Sequence, residues 1–131
     1  MSILEQVKAD YERFPQNPTY SLYSEEVYFQ DPVTQFRGIE RYQKMIQFMT
    51  RWFQEMRLEL HSIQQDQRQI KATWTLFWTS PLPWRPAIQI SGRSELELND
   101  QDLIISHRDF WDCSPWEVFQ QHFSFFPSAR R

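Results

Sequence analysis

The sequence predicts an α+β domain in which N-terminal helices pack on one face of an antiparallel sheet, and three observations carry that reading. Two early segments repeat apolar residues at the three-to-four spacing of a helix face, and the later segments alternate apolar and polar residues with turn signals between them. No repeat, low-complexity tract or long linker divides the 131 residues, so they are read as one domain spanning 1–131. Helices followed by a four-strand meander give α+β rather than alternating α/β.

Ile3, Leu4, Val7, Tyr11 and Phe14 form the first helical stripe, which Pro15 and Pro18 end, so a helix is predicted from Ile3 to Phe14. Tyr20, Leu22 and Tyr23 fit a short helical turn. Val27, Phe29 and Asp31 then alternate with Tyr28 and Gln30 as in a strand. Gly38 introduces a second amphipathic helix running from Ile39 to Arg51, with Tyr42, Met45, Ile46 and Met49 on its apolar face. Met56, Leu58 and Leu60 alternate with charged neighbours before a turn at Gln65–Gln67. Ile70, Ala72, Trp74, Leu76 and Trp78 make the facing strand. Pro81, Pro83 and Pro86 stiffen a loop that carries Trp84. Ile88 to Leu98 and Leu103 to Asp112 complete the meander. Ser114-Pro115-Trp116-Glu117 reads as a capping box opening a last helix to His122, and Phe123-Ser124-Phe125-Phe126 is expected to pack as a flap or partner contact.

Net charge is -3, so no basic field attracts nucleic acid or anionic lipid, and neither is expected as a partner. No stretch approaches the roughly 18 apolar residues of a membrane span. The single cysteine, Cys113, cannot form an internal disulfide, and the start of the chain does not read as a signal peptide, so a cytoplasmic protein is expected. Aromatic residues are 17% of the chain, a surplus that suits either a thick core or a lined cavity.

The run Tyr28-Phe29-Gln30-Asp31-Pro32-Val33 followed by Phe36-Arg37-Gly38-Ile39 resembles the strand, loop and helix start of SnoaL-like and ketosteroid isomerase-like proteins of the nuclear transport factor 2-like superfamily. Asp31-Pro32, Phe36-Arg37-Gly38, Trp74-Thr75-Leu76, Pro81-Leu82-Pro83-Trp84, Ser91-Gly92 and Ile104-Ile105-Ser106-His107 are similar, more closely, to an uncharacterised family of cyanobacteria and chloroplasts classed as a domain of unknown function. The resemblance covers about residues 4 to 123. It implies a cone-shaped fold with one mouth, a sheet wrapped on its helices, and it implies no particular chemistry. Some plant members carry the domain beside a haem-binding one, which hints at tetrapyrroles.

In the isomerase-like proteins the Asp matching Asp31 is the general base, and a carboxylate on an apolar face has its pKa raised by desolvation. The competing reading is that Asp31 only caps the Pro32 turn. The resemblance places a second, protonated acid where this chain has Ser94, which speaks against steroid isomerisation. His107, Asp109 and Trp111 alternate on one strand face with Leu103 and Ile105, where a His–Asp pair could share a proton or hold a polar ligand, or simply be a satisfied core pair. Metal binding by His107, Asp109 and Asp31, or by His61 and His122, lacks any close His-x-His or Cys-x-x-Cys spacing, so neither a metal nor a cofactor is expected. Cys113 is read as an inert thiol, and Trp74, Trp78, Phe110, Trp111 and Trp116 mainly as core.

Three functions are carried forward. The first is a pocket protein that binds a small apolar or aromatic molecule, with catalytic candidates Asp31, His107 and Asp109 and ligand contacts from Tyr11, Trp74, Ser94 and Trp111. The second is an acid–base enzyme of isomerase, cyclase or hydratase type that uses the same residues. The third is a dimeric assembly module with no ligand, whose interior should be packed shut. A homodimer is expected through the outer sheet face that carries Thr73, Thr75, Phe77, Ser106, Arg108 and Phe110. Trp84 is expected at the cavity rim or a subunit contact.

Overall fold

A computed structural model describes residues 1–123. Helix α1 spans Ile3–Glu12 and opens on a capping box in which Ser2 Oγ accepts from the Glu5 N–H and Glu5 accepts from the Ser2 N–H. It stops before the predicted Phe14, because the residue preceding Pro15 is pushed out of the α region. A short 3₁₀ turn, Tyr20–Leu22, leads into β1, Tyr23–Gln30. The strand starts earlier than its hydrophobic pattern suggests, since Ser24-Glu25-Glu26 are polar and carry no alternation. It also ends at Gln30, which leaves Asp31 at the head of the following loop. The three-residue strand β2, Gln35–Arg37, is too short to read from sequence; it pairs with β1, bringing Phe36 opposite Phe29 with ring centroids 5.0 Å apart.

Helix α2 spans Ile39–Trp52, and Gly38 before it has φ of 114°, a conformation that favours glycine. The meander follows as β3 (Gln54–Asp66), β4 (Gln69–Thr79), β5 (Ala87–Leu98) and β6 (Ile104–Trp111). The six strands lie in the order β2-β1-β6-β5-β4-β3. Neighbours are antiparallel except β1 and β6, which run parallel and bring the start of the chain against its last strand. Irregular register in β1, β3 and β6 bends the sheet, as an extra residue in one strand increases local twist and curvature. Helix α3, Pro115–Gln121, has the predicted capping box between Ser114 and Glu117.

The irregularity in β6 corrects one sequence expectation. Ile104 is fully buried and Ile105 is 39% exposed, the reverse of the predicted face. Leu98 opposes Ile104 while Glu97 opposes Ser106, so Ile105 is an extra residue without an opposite number, and the alternation resets before His107. Two more expectations change. Trp116 is exposed rather than core, as is Phe119 beside it. Thr75 is buried rather than on an open outer face, because its hydroxyl sits between His61 Nε2 (2.7 Å) and Ser91 Oγ (2.8 Å). Trp84 donates to the His122 carbonyl (2.6 Å) and packs on Phe123. Of the expected flap, Ser124, Phe125 and Phe126 lie outside the described residues. Among the described residues no helix is long and apolar enough to cross a membrane.

Candidate functional site

The bent sheet, α1 and α2 enclose a cavity of about 390 Å³. It is lined by all seven residues nominated from sequence: Tyr11 from α1, Asp31 from the loop after β1, Trp74 from β4, Ser94 from β5, and His107, Asp109 and Trp111 from β6. Period-two alternation brings the strand residues inward, and the β6 irregularity lies before His107, so it leaves their phase intact. Trp84 is not among the lining residues.

A hydrogen-bonded chain crosses the wall. The Trp74 indole N–H donates to Ser94 Oγ (2.9 Å), Ser94 donates to Asp109 Oδ1 (2.5 Å), and His107 Nε2 lies 2.8 Å from the same oxygen. Each link joins adjacent strands or next-but-one residues on one strand, so register alone assembles it. His107 Nδ1 is buried with no partner among the described residues, and the Tyr11 hydroxyl is buried beside Ser94. Burial pushes the Tyr11 phenol well above its ordinary value, and the Asp109 charge adds to the shift. Sequence reasoning missed the aromatic frame around His107. Tyr23 stacks against its ring at a centroid distance of 6.3 Å, and Phe29 and Tyr42 tilt against it at 5.1 and 5.8 Å. Burial raises the Tyr23 and Tyr42 phenols too, so both remain protonated in any physiological range. Their positions on two different elements gave no local signal; only the parallel β1–β6 pairing brings Tyr23 to this strand.

Asp31 stands partly exposed. Its Oδ1 accepts from the N–H groups of Val33 (2.9 Å) and Thr34 (2.8 Å), the capping role that a turn around Pro32 requires. Desolvation nevertheless pushes its carboxyl up, with the two N–H groups pulling the other way and the Asp109 charge adding to the rise. A raised folded-state pKa means that the folded protein binds more protons than the unfolded chain just above the ordinary value of 3.8. Stability contributed by this group is therefore lost as pH rises through that window and recovered as pH falls. Asp31→Asn keeps the capping oxygen and removes the charge, so it should gain stability relative to wild type at pH 7 and lose that advantage towards pH 4. Urea unfolding of both proteins across that range checks this, and a difference that does not vary with pH would defeat it.

The other candidates stay apart. His61 bonds Thr75, whereas His122 bonds Ser80 Oγ (2.9 Å) and the Val118 carbonyl (3.0 Å). Among the described residues no group of three His, Cys, Asp or Glu side chains stands close enough to hold a metal ion. Burial, with Glu117 and Asp112 beside it, pushes the Cys113 thiol up, away from thiolate reactivity.

Solved structures of other proteins share this architecture. An NTF2-like protein of unknown function from Exiguobacterium sp. 255-15 aligns with a TM-score of 0.69 at 13% identity, covering 86% of this chain and 100% of that one. A protein with a ketosteroid isomerase-like fold from Catenulispora acidiphila DSM 44928, in complex with trimethylamine, gives 0.73 at 13% identity over 99% of this chain and 97% of that one. A protein from Jannaschia sp. CCS1 described as a SnoaL-like polyketide cyclase gives 0.73 at 12% identity over 95% of this chain and 93% of that one. The fold is thus NTF2-like, a curved six-stranded sheet with helices against its concave side. The family model described as Uncharacterized conserved protein (DUF2358) matches residues 1–107, and the chain belongs to that family. No curated protein matches it.

Proposed function

We propose that this protein binds a small molecule with an apolar or aromatic body inside the cavity. The observation that carries the reading is the cavity itself: a space of about 390 Å³ walled mainly by aromatic and aliphatic side chains, with one hydrogen-bonded polar cluster at Ser94, His107 and Asp109. Its volume falls within the roughly 300–1,000 Å³ of small-molecule sites, and a few placed polar groups in an apolar wall are their usual composition. A protein of this fold in complex with trimethylamine supports small-molecule binding as a use of the fold. Trp74, Trp111 and Tyr11 would contact the body of the molecule. An assembly module without a ligand needs an interior packed shut, which the cavity interrupts. Native mass spectrometry of the purified protein should show a non-covalent adduct that Met49→Trp, a bulky change on the α2 wall, removes. A protein carrying no adduct and binding no member of a library of small aromatic and aliphatic molecules would overturn the reading.

A second reading, acid–base catalysis, is favoured by Asp31, whose raised carboxyl lines the same space with only Oδ1 engaged, and by the buried Tyr11 hydroxyl. Asp31 or the His107–Asp109 pair would take a proton, and Tyr11 would donate to the developing oxyanion, since the Ser94 hydroxyl already donates to Asp109. Similarity in fold to a polyketide cyclase supports this class without naming a substrate.

We further propose a homodimer through the outer sheet face. Phe77 and Phe110 stand there under the guanidinium groups of Arg57 (4.0 Å) and Arg93 (4.4 Å), a partly apolar surface with planar cations ready to stack. Sedimentation velocity at high micromolar concentration should give a dimer that Phe77→Glu dissociates; a wild-type monomer under those conditions sinks the idea.

A further inference from the structure

The charge on the cavity wall narrows the occupant to one class, an inference that rests on reading the cavity as a binding site. Asp10, Asp31 and Asp109 line it, and among the described residues neither lysine nor arginine does. Asp10 is answered from outside: Arg13 pairs with it, and Thr19 donates to it from its N–H (2.9 Å) and its hydroxyl (2.8 Å). The other two carboxylates are answered only by neutral donors and a histidine. Asp31 Oδ1 takes two backbone N–H groups, and Asp109 Oδ1 takes Ser94 and His107, so each Oδ2 is left without a partner among the described residues.

His107 stands beside them on the same wall. It is 5% exposed, and its Nδ1 has no partner among the described residues. Other donors on the wall, among them the hydroxyls of Tyr11, Tyr23, Thr34 and Tyr42 and the Trp111 indole, are uncharged. An anionic ligand would meet two like charges, whereas a neutral one would leave the Asp31 carboxylate without a counter-charge. A cation with N–H groups satisfies the vacant acceptors and offsets the charge. The aromatic rings of Tyr11, Tyr23, Phe29, Tyr42, Trp74 and Trp111 around it suit the same ion, because a ring quadrupole attracts positive charge.

We propose that the cavity takes a protonated amine with an aromatic or alkyl body, its ammonium group held by Asp31 and Asp109 and its body by the surrounding rings. Three probes of one body decide it: phenylpropylamine, phenylpropanol and phenylbutanoate, titrated at pH 7 into the full chain and followed by tryptophan fluorescence. The amine should bind at least ~10-fold tighter than the alcohol, as one charge contact with a half-buried carboxylate implies, with the carboxylate weakest. Asp109→Asn and Asp31→Asn should each weaken the amine about 5-fold and leave the alcohol unchanged. If alcohol and amine bind equally, or the carboxylate binds best, the amine proposal is overturned while the cavity stands as a binding site. If no probe binds wild type, or Met49→Trp leaves binding unchanged, the cavity reading itself fails and takes the amine with it. The wild-type ranking decides the matter even where a variant does not fold.

Discussion

Gly92→Ala is expected to lose about 3 kcal/mol or more of folding stability, at or beyond the upper end of overpacking penalties. A Cβ on Gly92 would stand 2.2 Å from the Phe110 carbonyl oxygen and 3.2 Å from the Trp74 ring. The first contact is with backbone of the neighbouring strand, so no side chain can rotate away; β5 and β6 must separate locally. That separation falls where Gly92 opposes Trp111, two residues from the pair of Ser94 and Asp109 that carries the polar chain. The loss should therefore extend to the cavity. Gly38 gives the contrast, for a Cβ there meets nothing within 4 Å while φ of 114° disfavours any side chain. Gly38→Ala should cost about 1–3 kcal/mol through backbone strain alone and leave the cavity intact. Urea denaturation of the two variants separates the causes, and a Gly92→Ala protein within 1 kcal/mol of wild type would show that the strands yield more easily than backbone contact implies.

Most of this fold is legible where burial on one face imposes a period. The α1 and α2 stripes, the meander from Met56 to Trp111 and the Ser114–Glu117 cap follow from side chains reporting their own surroundings. What escaped depends on contacts between distant segments. The parallel docking of β1 on β6 and the three-residue β2 leave no periodic trace, because Ser24-Glu25-Glu26 carry no apolar alternation and Gln35-Phe36-Arg37 is shorter than any alternation. The extra residue at Ile105 is invisible for a related reason: Leu103, Ile104 and Ile105 are all apolar, so the pattern permits either phase. The candidate cavity residues were readable because polar groups at inward positions stand out against an apolar face. Tyr23 and Tyr42 were not, since an aromatic residue at such a position gives the same signal whether it fills a core or frames a histidine.

Asp109 tests whether a single carboxylate serves the scaffold and the cavity through different oxygens. Oδ1 accepts from Ser94 and His107, and Ser94 in turn accepts from Trp74, so deletion of the carboxylate strands a chain of buried donors. Each stranded group costs about 1–3 kcal/mol, so Asp109→Ala, which strands both Ser94 and His107, should lose on the order of 3–4 kcal/mol. Asp109→Asn keeps one oxygen in place for Ser94 and His107 while losing the charge at the other. It should lose no more than ~1 kcal/mol, the scale of one ordinary hydrogen bond. If the charge at Oδ2 serves a ligand, the Asn variant is the one in which stability and binding part company: nearly wild-type in urea, and depleted of any adduct seen in native mass spectra. A purely structural carboxylate predicts that adduct content follows stability in both variants, since only the fold would then connect Asp109 to the cavity. Unfolding curves and adduct masses from the same preparations distinguish these outcomes, and an Asn variant that keeps its full adduct would return Asp109 to the scaffold alone.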